Sequence, residues 1–102
     1  MPIQNNPSHI RAALRGRSQA AKREAIALLI QRPDALDFVD DVKAVCLESR
    51  TARARQTWLV AKDALFQLDP HAWVEMDRQH PFSELKQWEA EQAHRAVSAS
   101  LD

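Results

Sequence analysis

Residues 50–69 read RTARARQTWLVAKDALFQLD, the longest stretch of this chain that is compatible with one uninterrupted helix. With about 100° between successive residues, its apolar side chains separate into two stripes. The main stripe contains Ala54, Trp58, Ala61, Leu65 and Leu68. Leu59 and Phe66, seven residues apart, form a second stripe. A helix with two apolar faces needs neighbours on two sides, so we expect the rest of the chain to pack around it.

Length and composition predict an all-α fold. A chain of 102 residues suits one domain that buries a core without disulfides or a structural metal. It contains one glycine and no tyrosine, and no Asn-Gly or Asp-Gly pair marks a hairpin turn. We therefore predict a single domain over residues 1–102, built as a compact bundle of five to six short helices around a central long helix at about residues 50–69. Residues 1–7 are polar, include two prolines, and are predicted to be disordered.

The other helices are bounded by capping signals. We predict them at about residues 8–15, 19–31, 34–48, 70–79 and 83–98. Ser18 and Asp69 are predicted N-caps, and Asp69 is followed by Pro70 at the first helical position. Gly16 fits the position after a helix at which a residue in the left-handed conformation lets backbone amides donate to the last free carbonyls of the helix.

The sequence predicts neither a signal peptide nor a membrane span. The opening MPIQNNPSH has neither the basic nor the apolar region of a signal peptide. The longest apolar run, residues 25–30, is far below the roughly 20 residues that a membrane span needs. The single cysteine, Cys46, has no intramolecular disulfide partner, which is compatible with a reducing compartment. We expect a cytoplasmic protein without a membrane partner.

A net charge of zero hides strong segregation of charge along the chain. Residues 1–33 carry +5, residues 34–49 carry −4, residues 50–62 carry +4 and residues 63–77 carry −4. Such blocks predict that neighbouring helices attract one another, while the zero sum argues against a generic nucleic-acid coat. The acidic face of the predicted third helix is formed by Asp37, Asp40, Asp41 and Glu48. The sequence leaves open whether that face is solvated or occupied.

Catalytic and metal-binding patterns are sparse. Cys46 falls on the apolar face of the predicted third helix without a local histidine, so we interpret it as a packing residue. Glu91 and His94 have the Glu-x-x-His spacing of carboxylate-bridged diiron bundles. On a helical wheel, however, His94 lies opposite Leu85 and Trp88 and should face water. We predict no enzymatic activity, no cofactor and no metal.

The second stripe of the central helix is the candidate protein-binding surface. Leu59 and Phe66 lie about 120° from the main stripe, beyond the arc that one core usually takes, and Arg55 and Lys62 edge them like a polar rim. Trp and Arg are frequent in interface hot spots, although the three tryptophans also suit a core. We predict a small non-enzymatic interaction module, acting as a regulator, inhibitor or adaptor, that binds a partner protein or forms a homo-oligomer. In the competing interpretation, a terminal helix of the same chain covers this stripe.

The alternative function is a DNA-binding regulator of the helix-turn-helix type. A short helix, a turn containing Gly16 and a second helix that opens at Ser18 have the order of parts of that motif. The DNA-contacting residues would be Arg11, Arg15, Arg17, Gln19, Lys22 and Arg23. Only seven residues precede the pair of helices, although tri-helical versions usually have a packing helix there. The same basic segment, residues 11–23, is also suited to pair with the acidic third helix.

Overall fold

The computed structural model describes residues 3–101, without the side chains of residues 52 and 96–101. Over this range the chain forms six α-helices and two short 3-10 helices, and no strand. The α-helices are α1 (Pro7–Arg15), α2 (Gln19–Leu29), α3 (Val39–Glu48), α4 (Arg55–Leu68), α5 (Pro70–Gln79) and α6 (Ser83–Leu101). The 3-10 helices, Ala35–Phe38 and Ala52–Ala54, directly precede α3 and α4. The predicted all-α bundle is confirmed.

The expected long central helix is not confirmed. α4 has 14 residues, whereas α6 has 19 and is the longest element. The segment before α4 forms a tighter turn, in which the amide of Ala54 donates to the carbonyl of Thr51 over 3.0 Å. Ala54 is the N-cap of α4 and offers no side-chain acceptor, so no capping group fixes an earlier start. α4 is nevertheless central in its packing, because it contacts α2, α3 and α5.

The main stripe of α4 forms the middle of the core. Trp58, Ala61 and Leu65 are completely buried, Ala54 is nearly so, and Leu68 is half-buried. The core residues of α2 and α3 that belong to the same cluster are Ala25, Ile26, Leu29, Val42, Val45 and Cys46. The predicted helical period therefore identified the face of α4 that is removed from water.

Two predicted N-caps are present. The Ser18 hydroxyl accepts a hydrogen bond from the amide of Ala21 over 3.1 Å at the start of α2. An Asp69 carboxylate oxygen accepts from the amide of Ala72, also over 3.1 Å, and Pro70 occupies the first turn of α5. Each side chain satisfies one amide that has no partner within its own helix.

Gly16 ends α1 without the predicted left-handed conformation. Its φ is −77° and its backbone is extended, while its amide donates to the carbonyl of Ala13 over 3.2 Å. That carbonyl is satisfied without a positive φ, so the left-handed closure is not needed.

The turn between α2 and α3 also differs from expectation. α2 ends at Leu29, and the segment predicted to begin the third helix forms the 3-10 helix Ala35–Phe38 before α3. Asp34 precedes it without a side-chain capping bond. In the part of the chain that is described, no helix combines the length and apolarity needed to cross a membrane.

The predicted disorder of residues 1–7 stays a prediction. Residues 1 and 2 lie outside the described range. Within that range, the side chain of Asn6 caps α1 by accepting from the amide of His9 over 2.9 Å.

Candidate interaction surface

The predicted protein-binding residues share the solvent side of α4 but differ in exposure. Arg55 and Phe66 are exposed, and Phe66 keeps 55% of its accessible surface. Leu59 and Lys62 are half-buried, and Leu59 packs against the edge of the core. The apolar part of the second stripe is therefore divided: Leu59 supports the core from outside, and Phe66 faces the solvent.

Helix α6 lies along the charged edge of this stripe. The Lys62 ammonium is 2.5 Å from each carboxylate oxygen of Glu89. The Arg55 guanidinium lies over the Trp88 ring, 5.7 Å from its centroid. A terminal helix, α6, thus contacts the charged residues of the stripe, as the competing interpretation expects, whereas Phe66 stays accessible.

A cleft of about 410 Å³ opens between α4, α5 and α6. We call it the Phe66 cleft; its lining residues are Lys62, Asp63, Phe66, Trp73, Lys86 and Glu89. Phe66 and Trp73 supply aromatic surface, and the other four side chains are charged. An apolar lining with a charged rim is the usual composition of a protein-binding patch.

Aromatic packing gives the cleft a firm base. The Trp73 and Phe82 rings stack at an interplanar angle of 10° with centroids 5.8 Å apart. Trp58 meets them edge-on or tilted, at 6.4 Å from Trp73 and 5.6 Å from Phe82. Trp58 is fully buried, whereas Trp73 is half-buried and reaches the cleft. The accessible aromatic surface of the cleft is thus supported by the core.

Sequence reasoning missed the other half of the cleft. It assigned no surface role to Trp73, Lys86 or Glu89. The Lys86 ammonium donates to a carboxylate oxygen of Asp77 over 2.7 Å, and this bond joins α6 to α5. The opposite charges of Lys62 and Glu89 were the available signal, but a distance of 27 residues along the chain does not identify a pair.

The first part of the candidate DNA-binding segment contacts the acidic third helix. Arg11 Nε and Arg15 Nη2 lie 3.5 and 3.3 Å from the two carboxylate oxygens of Asp41. The Arg11 guanidinium also lies over the Phe38 ring at 4.7 Å. Arg17 remains exposed. The attraction predicted between the first two charge blocks is present in these contacts.

The second part of that segment is turned into the fold. Lys22 is only 5% exposed, and its Nζ lies 3.5 Å from a carboxylate oxygen of Glu48. Arg23 donates to the Thr57 hydroxyl over 3.1 Å, which joins α2 to α4. Gln19 is half-buried. These side chains face neighbouring helices and do not form a free recognition surface.

The acidic face of the third helix is occupied in part by this pairing. Asp41 is half-buried between Arg11 and Arg15. Asp37 and Asp40 remain exposed. The question left open by the sequence therefore has a divided answer, with one side of the face bound internally and the other in water.

Reactive side chains are not assembled within the described residues. Burial raises the pKa of the Cys46 thiol to about 12, so it is protonated at neutral pH. His94 is exposed, as predicted. Among the residues that the structure describes, no group of three His, Cys, Asp or Glu side chains is placed to hold a metal ion.

Comparisons with protein-family models, curated proteins and solved structures found no match to this chain.

Proposed function

We propose that this protein is a non-enzymatic interaction module that binds another protein through the Phe66 cleft, as a regulator, inhibitor or adaptor. The supporting observation is the position of Phe66: a large aromatic side chain, 55% exposed, on the wall of a cleft that also presents Trp73. Clustered exposed apolar surface with a polar rim marks interaction sites, whereas a single exposed apolar residue does not.

The energetics favour the cleft as the centre of a larger contact. Burying a phenylalanine side chain completely contributes about 1.5–3 kcal/mol, so covering the exposed half of Phe66 contributes about 1 kcal/mol. A stable interface buries about 800 Å² on each partner, which is more than one cleft provides. Leu59 and Arg55, on the same side of α4, would extend the contact, while Asp63 and Lys86 would orient it through charge.

The helix-turn-helix alternative has less support. Arg11, Arg15, Lys22 and Arg23 all contact groups of this chain. DNA binding through these four residues would require them to leave those partners, and Lys22 would have to emerge from a nearly buried position. We therefore propose a protein partner and keep DNA binding as a hypothesis for direct test.

The substitution Phe66→Glu tests the proposal. The wild-type protein and the variant are immobilised, exposed to extract from cells of the source organism, and the retained proteins are identified by mass spectrometry. Leu36→Glu is the matched control, because Leu36 is 66% exposed and does not line the cleft. Sizing chromatography of the three proteins shows whether the partner is a second copy.

We expect a partner, or self-association, that wild type and Leu36→Glu share and Phe66→Glu loses. The reason is that a carboxylate in the cleft leaves an unpaired charge at a buried contact. Retention of the same partners by Phe66→Glu would refute the cleft as their binding site. A wild-type protein that is monomeric and captures nothing would refute the interaction module itself.

A further inference from the structure

Three exposed arginines lie together where the chain enters α4. Arg50, Arg53 and Arg55 fall within six residues, and all three are exposed. Among the described residues, no carboxylate lies within 4.0 Å of any of them. We call them the arginine cluster.

This lack of internal partners distinguishes the cluster from most of the other cations. Half of the fourteen lysines and arginines make ion pairs in the described part of the chain: Arg11, Arg15, Lys22, Arg32, Lys62, Arg78 and Lys86. The opposite charge blocks account for the pairs of Arg11, Arg15, Lys22 and Arg32, whereas residues 50–55 have no such pair among the described residues. A local excess of positive charge attracts an anionic group from outside the chain.

Aromatic rings hold two of the three guanidinium groups in place. Arg50 lies over Phe82 and Arg55 over Trp88, each 5.7 Å from the ring centroid. Phe82 directly precedes α6 and Trp88 follows six residues later within it, a separation of about 9 Å along a helix axis. A guanidinium over the face of a ring is attracted to it and can still donate through its N–H groups. Ordering these side chains in advance lowers the entropy cost of binding a carboxylate.

A small apolar pocket adjoins the cluster. It has a volume of about 270 Å³, and its lining residues are Arg50, Pro81, Phe82, Ser83, Glu84 and Leu85. Ligand pockets for drug-sized molecules usually occupy about 300–1,000 Å³, so this one is suited to a single large side chain. Phe82 and Leu85, which keep only 4% and 5% of their accessible surface, contribute buried apolar side chains, Pro81 is exposed, and Arg50 places a positive charge at the edge.

We propose that the arginine cluster binds an acidic protein segment in which carboxylates flank a large apolar side chain. The apolar side chain enters the pocket beside Phe82, and the carboxylates accept hydrogen bonds from Arg50, Arg53 and Arg55. Charge-assisted bonds of this kind are short and favour the planar fork of arginine. The inference rests on the proposed function in that it requires a protein partner, and it adds the chemistry of that partner.

A nucleic acid fits this surface less well. A phosphate backbone brings no aliphatic side chain to the pocket beside Phe82. Three arginines at one end of α6 also offer a short footprint compared with the basic stripe typical of nucleic-acid binding.

Fluorescence anisotropy with a labelled synthetic peptide tests the proposal. The peptide carries one leucine flanked on both sides by glutamates, and binding to the full chain is measured at low salt. The test variant is R50Q/R53Q/R55Q. The control variant, R15Q/R17Q/R78Q, changes the net charge by the same amount at other exposed arginines.

We expect the test variant to bind the peptide about tenfold more weakly, which is the combined effect of three partly exposed charge pairs. The control variant should stay within about twofold of wild type, and wild-type affinity should fall with added salt. If circular dichroism shows that the triple variant is unfolded, Arg53→Gln replaces it, because Arg53 stacks on neither ring. That variant should weaken binding by about two- to threefold.

Three outcomes would overturn the proposal: no binding of the peptide at low salt, equal loss in both triple variants, or tighter binding of duplex DNA than of the peptide through the same arginines. The capture experiment keeps this inference separate from the proposed function. If Phe66→Glu loses its partners while R50Q/R53Q/R55Q retains them, the Phe66 cleft stands as the binding site and the arginine cluster does not contribute.

Discussion

Arg32 and Asp34 close the turn that follows α2. Arg32 Nε and Nη2 donate to the two carboxylate oxygens of Asp34 over 2.7 and 3.1 Å. Arg32 Nη1 also donates to the carbonyl of Asn5 over 3.2 Å and to its side-chain oxygen over 2.8 Å. One guanidinium thus ties the residues before α1 to the turn before α3, and its hydrogen bonds hold the pKa of Asp34 below the ordinary value.

The pKa of Asp34 should therefore be measurably low. In an NMR titration of the side-chain carboxyls, we expect Asp34 to titrate below the ordinary aspartate pKa of about 3.9, and Arg32→Gln to return it toward that value. Because the folded pKa is lowered, ionised Asp34 stabilises the fold above the ordinary pKa, and this contribution is lost as the pH falls below about 4. Arg17→Gln is the control and should leave the titration of Asp34 unchanged. An ordinary pKa for Asp34 in the wild type would contradict the observed geometry.

Individual side chains differ in how far the sequence predicts their surroundings. Burial of Trp58 and Leu65 follows from helical period alone, since both fall on the stripe with the highest density of apolar residues. The near-complete burial of Lys22 does not, because a lysine at the start of a basic helix usually extends into water. Its partner Glu48 is 26 residues away and reaches it only after α2 and α3 have packed.

Among the helices, the predicted start agrees best with the structure where a capping side chain marks it. Ser18 and Asp69 mark the starts of α2 and α5 because a local hydrogen bond fixes each of them. The starts of α3 and α4 have no such bond, and at both places a 3-10 turn precedes the α-helix. An apolar period cannot separate these two helix types over a single turn, since i to i+3 neighbours share a face in both.

Truncation on α4 compared with truncation on α6 tests the assignment of helical faces. Leu65→Ala should destabilise the protein by about 2–5 kcal/mol, because Leu65 is fully buried and its removal leaves a cavity. His94→Ala should change the free energy of unfolding by less than about 0.5 kcal/mol, because His94 is exposed. Chemical denaturation followed by circular dichroism measures both values. Similar losses from the two exchanges would show that the faces are assigned wrongly.

At the scale of the whole molecule, the charge blocks describe which helices meet but leave their exact positions open. The contacts of Arg11 and Arg15 with Asp41, and of Lys22 with Glu48, join blocks of opposite sign. Of the predicted protein-binding residues, Lys62 and Phe66 line the cleft, while Leu59 packs against the core. Phe82 and Leu85 anchor the start of α6 in the core, and this tertiary packing is not encoded in the period of α4.

The pairing of charges also predicts how the protein behaves toward DNA. If residues 11–23 bound duplex phosphates, affinity would fall steeply between about 50 and 200 mM salt as counterions are released. The structure shows Arg15 and Arg23 in contact with groups of this chain and Lys22 nearly buried. We therefore expect no mobility shift of random duplex DNA even at low salt.

The same measurement on R15Q/R17Q/R23Q makes the test decisive. Without DNA binding by residues 11–23, wild type and variant should behave alike on the gel. A wild-type shift that weakens steeply with salt and disappears in R15Q/R17Q/R23Q would instead assign the basic segment to DNA. A shift abolished by R50Q/R53Q/R55Q but retained by R15Q/R17Q/R23Q would place phosphate binding on the arginine cluster. The two triple variants thus separate the two basic surfaces within one experiment, because they have no substitution in common.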